Sequence, residues 1–183
     1  LTGTLEGAVY NNWKQVQNIP PEARLVGYGL DFGYSNDPTA LIACYKYNGK
    51  TYFDQIVYQT GLKTRDLVDL MKDSHVRKDV PIYCDSADPK YRDELNEYGY
   101  SVIGATKGAD SIKFGIGLLQ DGMFYVTQRS LDMIKELRQY CWKKNKDGNR
   151  INIPIDAFNH ALDAIRYFAM MSLSKVVDND DGG

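Results

Sequence analysis

The sequence predicts an α/β fold: a mixed sheet of three antiparallel strands extended by parallel strands, flanked by helices and carrying a projecting β-hairpin. Three observations predict it. LVGYGLD, TALIACYKY and TYFDQIVYQ are strand-like runs joined by short polar links; helical patterns then alternate with short apolar runs; and KKNKDGNRINI places an Asp147-Gly148 turn between two short arms. With 183 residues, 43% of them hydrophobic, the chain is long enough for one well-cored domain and short for two.

Residues 1–24 show weak periodicity and finish in a Pro-Pro pair, which reads as an arm or the tail of a preceding domain. The domain proper is expected over residues 25–174. Its first three strands form a meander, the second and third joined at Asn48-Gly49. Residues 64–74 have apolar positions at helical spacing behind a Thr64 N-cap, and PIYC is a short buried strand ending at Asp85. Asp88-Pro89 opens a second helix that closes at a glycine, and SVIGA is a further strand. A helix around ADSIKFGIGLLQDG, a strand MFYVT and a helix RSLDMIKELRQYCW lead to the hairpin. The last element, IDAFNHALDAIRYFAMMSL, reads as one long helix, and residues 175–183 as a disordered polar tail.

The formal net charge of -2 provides no global basic footprint, so a nucleic-acid partner must be held by a local patch or through metal ions. Cys44, Cys84 and Cys141 are odd in number and widely spaced, which fits neither a disulfide framework nor a CxxC zinc site and suits a reducing cytosol. No stretch approaches the roughly 20 apolar residues of a membrane span, so no membrane partner is expected.

Three acids stand out by their settings. Asp31 and Asp85 each close a short apolar run, where a carboxylate emerges at the end of a strand. Asp163 lies inside an apolar helical pattern, where a charge is costly unless it is paired or metal-bound. Mg²⁺ and Mn²⁺ want oxygen ligands, and two such ions roughly 4 Å apart can both activate water and neutralise charge on a phosphodiester. Three aspartates from two strand ends and one helix meet that requirement.

Three antiparallel strands with an acid on the first, a crossover to a strand carrying the second, and a late helix carrying the third is the layout of the RNase H-like fold. The motifs Asp31-Phe32-Gly33-Tyr34 with Asn36-Asp37-Pro38-Thr39-Ala40, Asp85-Ser86-Ala87-Asp88-Pro89-Lys90, Lys107-Gly108 with Ser111-Ile112, and Asn159-His160-Ala161-Leu162-Asp163 occur in this order. Together they resemble the C-terminal nuclease domain of the large terminase subunit of tailed double-stranded DNA bacteriophages. The resemblance implies a Mg²⁺- or Mn²⁺-dependent endonuclease holding two divalent cations on Asp31, Asp85 and Asp163. It would cut concatemeric viral double-stranded DNA, with little sequence specificity, in the cytoplasm of the infected bacterium. It also implies an ATPase half of the same subunit, a small terminase subunit and a portal protein as partners. No G-x-x-x-x-G-K-[ST] phosphate loop occurs in the chain, so the likeness is to the nuclease half alone and residues 1–24 would be the remnant of the connection. The alternatives are another RNase H-like enzyme of junction-resolvase or transposase type, or a non-catalytic DNA-docking module.

Other residues divide more evenly. Asp31-Phe32-Gly33 is not a kinase signature here, since no H-R-D loop or glycine-rich loop with a V-A-I-K strand accompanies it. His160 shares a helical face with Asp163, which suits a catalytic group beside the metals and equally a structural hydrogen-bonding histidine. Lys107 is a solvated loop lysine on its residues alone; the resemblance places it near a phosphate. Lys143, Lys144, Lys146 and Arg150 crowd the hairpin with only Asp147 opposing them, which suits a wing that tracks a DNA backbone. Asp37 reads as a turn former, Asp88 as an N-cap, and Cys84 as packing.

Overall fold

The computed structural model describes residues 6–106 and 108–173. Lys107 and the expected tail 175–183 lie outside the described residues. The strands are β1 (Trp13–Val16), β2 (Arg24–Asp31), β3 (Thr39–Tyr47), β4 (Lys50–Gln59), β5 (Ile82–Asp85), β6 (Val102–Ala105), β7 (Phe124–Thr127), β8 (Trp142–Lys144) and β9 (Arg150–Pro154). The helices are α1 (Thr64–Asp73), α2 (Pro89–Glu97), α3 (Ser111–Gln120), α4 (Leu131–Gln139) and α5 (His160–Phe168).

Seven strands form one sheet in the order β1-β7-β4-β3-β2-β5-β6. The expected meander β2-β3-β4 is antiparallel and sits at its centre. Parallel strands extend it on both sides, β5 and β6 beyond β2, β7 and β1 beyond β4. The expected hairpin is a separate two-stranded sheet, β8-β9. Its turn is organised by Asn145, whose side-chain oxygen accepts the amides of Asp147 and Asn149 at 3.0 and 2.9 Å.

Side chains alternate across a strand, so the sheet builds two cores. Tyr28, Leu30, Leu41, Ile82 and Cys84 face α1 and α2, packing with Leu67, Val68, Met71 and Leu95. Ile42, Cys44, Phe53, Tyr83 and Val126 face the other way, under Ile116, Met133, Leu137, Leu162, Ile165 and Phe168 of α3, α4 and α5. The same alternation puts Gly27, Gly29 and Asp31 of β2 on the α5 side. All three cysteines are free, as expected, and burial pushes the Cys84 thiol up to about 11, consistent with packing and not nucleophilic attack. No helix among the described residues is long and apolar enough to cross a membrane.

Three local expectations are corrected. The segment before residue 25 is not a free arm in its described part: Val9, Tyr10 and Trp13 are buried in the α5-side core, and β1 adds to the sheet edge beside β7. Four residues pairing in parallel with a distant strand leave no local pattern to read. Thr64 is the first helical residue of α1 and not its cap; its hydroxyl donates to Glu94 at 2.5 Å while the Asp66 carboxylate accepts the Lys63 amide at 2.9 Å. The last helix begins only at His160, because Phe158 takes a left-handed φ of 54° and Asn159 occupies the N-cap; beyond Phe168 it loosens into a π turn, Ala169–Leu173.

Candidate metal centre

The three aspartates are brought to one end of the sheet by register. β2 and β5 are parallel neighbours, paired through Leu30 and Cys84, and Asp31 and Asp85 are the next residue on each. Neighbouring strands lie about 4.8 Å apart, so the two carboxylates leave the sheet side by side. Asp163 reaches the same end because α5 lies directly on β2. Gly29 permits this: a Cβ there would collide with the backbone carbonyl of Ala164, the residue after Asp163. The sequence thus sets a glycine where the helix must touch the strand, with Asp31 two residues further along the strand and Asp163 next to the contacting Ala164 on the helix.

Each carboxylate has a local partner. Asp85 Oδ1 accepts the Ala87 amide at 2.9 Å; Asp31 Oδ2 is 3.5 Å from His160 Nδ1; Asp163 Oδ1 is 3.4 Å from the Arg166 guanidinium on the same helix. Among the described residues no three His, Cys, Asp or Glu side chains close around a single point at metal-ligand distance. The donor chemistry nonetheless suits a hard cation, since carboxylate oxygens dominate. Burial pushes Asp163 up to about 7; Arg166 pulls it down, and Asp31 pushes it further up. Asp31 is likewise raised by burial, pulled back by His160 and Arg166, and pushed further up by the charge of Asp85. Carboxylates that raise one another in a desolvated corner are stabilised by a bound cation.

His160 is placed beside Asp31 as well as on the face of Asp163. Asp31 raises its pKa above the ordinary 6.5 against the opposing effect of burial. Its Nε2 looks toward Asp37, 3.8 Å away, across a cleft of about 700 Å³ lined also by Tyr58, Lys135, Glu136 and Asp156.

Sequence reading missed Glu136. Only 2% exposed, it accepts the Tyr58 hydroxyl at 2.6 Å and the Leu162 amide at 3.1 Å. Asn159 makes no side-chain cap, so Glu136 of α4 satisfies an otherwise orphaned amide in the first turn of α5, the turn carrying His160 and Asp163. Burial raises its pKa and these hydrogen bonds lower it. The signal was available: Glu136 interrupts the apolar face of Met133, Ile134 and Leu137, as Asp163 interrupts its own helix.

The hairpin's basic residues separate. Lys143, Lys144 and Lys146 are exposed. Arg150 instead ties the hairpin down: its guanidinium donates to the carbonyls of Trp142 at 2.7 Å and Glu6 at 2.9 Å.

A mixed sheet with acids at the ends of adjacent parallel strands, and a third from a helix crossing them, defines an RNase H-like domain with a carboxylate centre. Within that class the chain belongs to the terminase RNase H-like domain family, whose pattern it matches over residues 31–170. It is 34% identical over 148 residues to the large terminase subunit of Bacillus phage SPP1, a stretch covering 76% of this chain and 34% of that protein. The chain therefore spans about a third of that relative's length. Its fold is similar to the SPP1 large terminase nuclease domain solved with bound Mn, at TM-score 0.76, 23% identity and coverage of 87% of this chain and 96% of that one. The P22 large terminase nuclease domain superposes with TM-score 0.71 at 19% identity over 91% and 92% of the two chains. The large terminase of the thermophilic phage D6E, TM-score 0.73 at 22% identity, is matched over 91% of this chain but 45% of its own.

Proposed function

We propose that this chain is the metal-dependent endonuclease part of a phage DNA-packaging terminase, hydrolysing phosphodiester bonds of concatemeric double-stranded DNA with little sequence selection. The observation that carries the reading is the placement of Asp31 and Asp85 at adjacent strand ends beneath Asp163 on a helix seated on Gly29. Membership of the terminase family and the nuclease names of its structural relatives support it. An ATPase half of the same subunit, a small terminase subunit and a portal protein are the partners this reading entails, in the cytoplasm of the infected host.

Asp31, Asp85 and Asp163 are the residues that would hold two Mg²⁺ or Mn²⁺ ions, which when bound supply charge neutralisation on the phosphate and activation of water. The strand ends fix two donors on rigid backbone, and Glu136 fixes the helix turn that offers the third. With its Nδ1 side against Asp31, His160 presents Nε2 to the cleft, where it can take a proton from water at the scissile phosphate. His160→Ala is expected to keep its Mn²⁺ affinity by calorimetry while nicking about 10²–10⁴-fold more slowly; a wild-type rate would leave His160 as a packing residue.

Lys107, Lys143, Lys144 and Lys146 are proposed to contact phosphates. Replacing the three hairpin lysines with alanine should weaken binding alike on unrelated duplexes and flatten the salt dependence by up to roughly 0.9 in log–log slope per lost contact. An unchanged slope would return the hairpin to mere solubility. Arg150→Ala should instead loosen the hairpin base, read as faster amide exchange at Trp142.

The nuclease reading is tested with supercoiled plasmid across Mg²⁺, Mn²⁺, Ca²⁺ and EDTA. Nicked and linear products are expected with Mg²⁺ or Mn²⁺ and none with EDTA; cutting in EDTA, or none in any metal, would overturn it.

A further inference from the structure

We propose that Tyr34 and Tyr91 form a nucleoside subsite at the rim of the carboxylate centre, taking the sugar–base face of the DNA strand delivered to it. The inference rests on the nuclease reading and adds a residue-level contact to it. Both tyrosines follow the acids closely: Tyr34 is three residues beyond Asp31, and Tyr91 lies in the first turn of α2, six beyond Asp85. Phe32 stacks on Tyr91 with ring centroids 5.1 Å apart, and Tyr34 meets Tyr91 edge-on at 5.9 Å. The aromatic cluster thus spans the two chain segments that carry the strand-end carboxylates.

Tyr34 is 49% exposed, yet its backbone is fixed. The Gly33 amide donates to Thr39 Oγ1 at 3.0 Å, and the Asp37 amide donates to the Tyr34 carbonyl at 2.8 Å, closing a turn. Gly33 packs so tightly under this turn that a Cβ would strike the Asp37 carbonyl. The phenol hydroxyl makes no hydrogen bond among the described residues. A large aromatic surface held rigid and half in water gains little for the fold, whereas a preordered ring loses little entropy on binding. Exposed Lys90, next to Tyr91 in α2, offers a cation for a nucleotide's phosphate, and the adjacency of both tyrosine segments to the strand-end acids along the chain decides for a nucleic-acid strand over an apolar peptide. Stacking on a ring face tolerates any base, which suits an enzyme with little sequence selection, and it takes a base unstacked from its duplex at the cut.

The test is fluorescence anisotropy of labelled single-stranded DNA in EDTA, so that bases are unstacked and nothing is cut, with wild type, Tyr34→Ala, Tyr34→Phe and Tyr34→Leu. Tyr34→Ala is expected to raise Kd on the order of tenfold and Tyr34→Phe to bind nearly as wild type. The slope of log K against log salt should not move, because no phosphate contact is lost. Photocrosslinking to 5-iodouracil-substituted DNA should map to Tyr34 or Tyr91. Should Tyr34→Ala melt early, Tyr34→Leu decides, since it keeps bulk without the ring: weakened binding supports the subsite and wild-type binding overturns it. Wild-type affinity in a folded Tyr34→Ala, or a loss confined to the salt slope, overturns the subsite alone. Absence of DNA binding by the wild-type protein in EDTA would overturn the subsite, which needs no metal, whereas the nuclease reading stands or falls on the plasmid assay.

Discussion

Asp163→Asn is expected to abolish plasmid nicking, by more than about 10³-fold, while leaving a protein that is more stable than wild type above neutral pH. The first effect follows from losing one charged oxygen donor of a three-carboxylate centre, which should exceed the roughly 10²–10³-fold cost of removing a single neutral transition-state donor. The second follows from linkage. Burial raises the folded-state pKa of Asp163 to about 7, so the folded chain holds this proton more tightly than the unfolded chain does. Stability is therefore lost as pH climbs from the ordinary carboxylate range through about 7, and the full penalty, on the order of a few kcal/mol, is present above it. Asparagine never ionises and escapes it. In metal-free buffer the variant's melting temperature should exceed wild type at pH 8, the gap closing as pH falls toward 4. Equal melting at pH 8 would show that Arg166 compensates the charge fully; retained nicking would remove Asp163 from the centre.

Gly29→Ala is expected to be the most damaging single methyl on β2. The obstacle is the backbone of Ala164, which cannot rotate aside, so α5 must lift from the sheet. Overpacking of this kind costs typically 1–3 kcal/mol, and a backbone obstacle puts this case at about 3 kcal/mol. The lift also moves Asp163 away from Asp31 and Asp85, and displacement near 1 Å is enough to lose roughly 10²-fold in rate. Gly27→Ala is the matched control: its Cβ would meet the Phe168 ring at 3.1 Å, a side chain able to give way. Urea unfolding and nicking by both variants check the account. If Gly29→Ala were as stable and active as Gly27→Ala, the close seat of α5 on β2 would not be what positions Asp163.

The parts legible in sequence were those whose cause is local. Asp31 and Asp85 were readable because an acid ending an apolar run marks a strand end, and Asp163 because a charge within an apolar helix needs a reason. The meander, the crossovers and the hairpin followed from turn chemistry and periodicity. What escaped depends on partners far along the chain. Trp13 and Tyr10 gave no pattern because their burial is made by Phe124, Tyr140 and α3. Glu136 showed only as a charge on an apolar face; that it holds the start of α5 requires knowing which helix lies opposite. Arg150 counted as one of four similar basic residues until the fold put two backbone carbonyls in front of it. The placement of His160 against Asp31, and the raising of Asp163 by Asp31, likewise come from α5 crossing β2 and cannot be read along either segment.

The central claim is that Asp31, Asp85 and Asp163 form one metal centre, and anomalous diffraction from crystals soaked in Mn²⁺ tests it most directly. The account predicts manganese peaks among these three carboxylates, with Asp163 turned from Arg166 and two ions within roughly 4 Å of one another at saturating metal. Manganese bound elsewhere, with Asp163 still facing Arg166 and Asp31 still on His160, would contradict it.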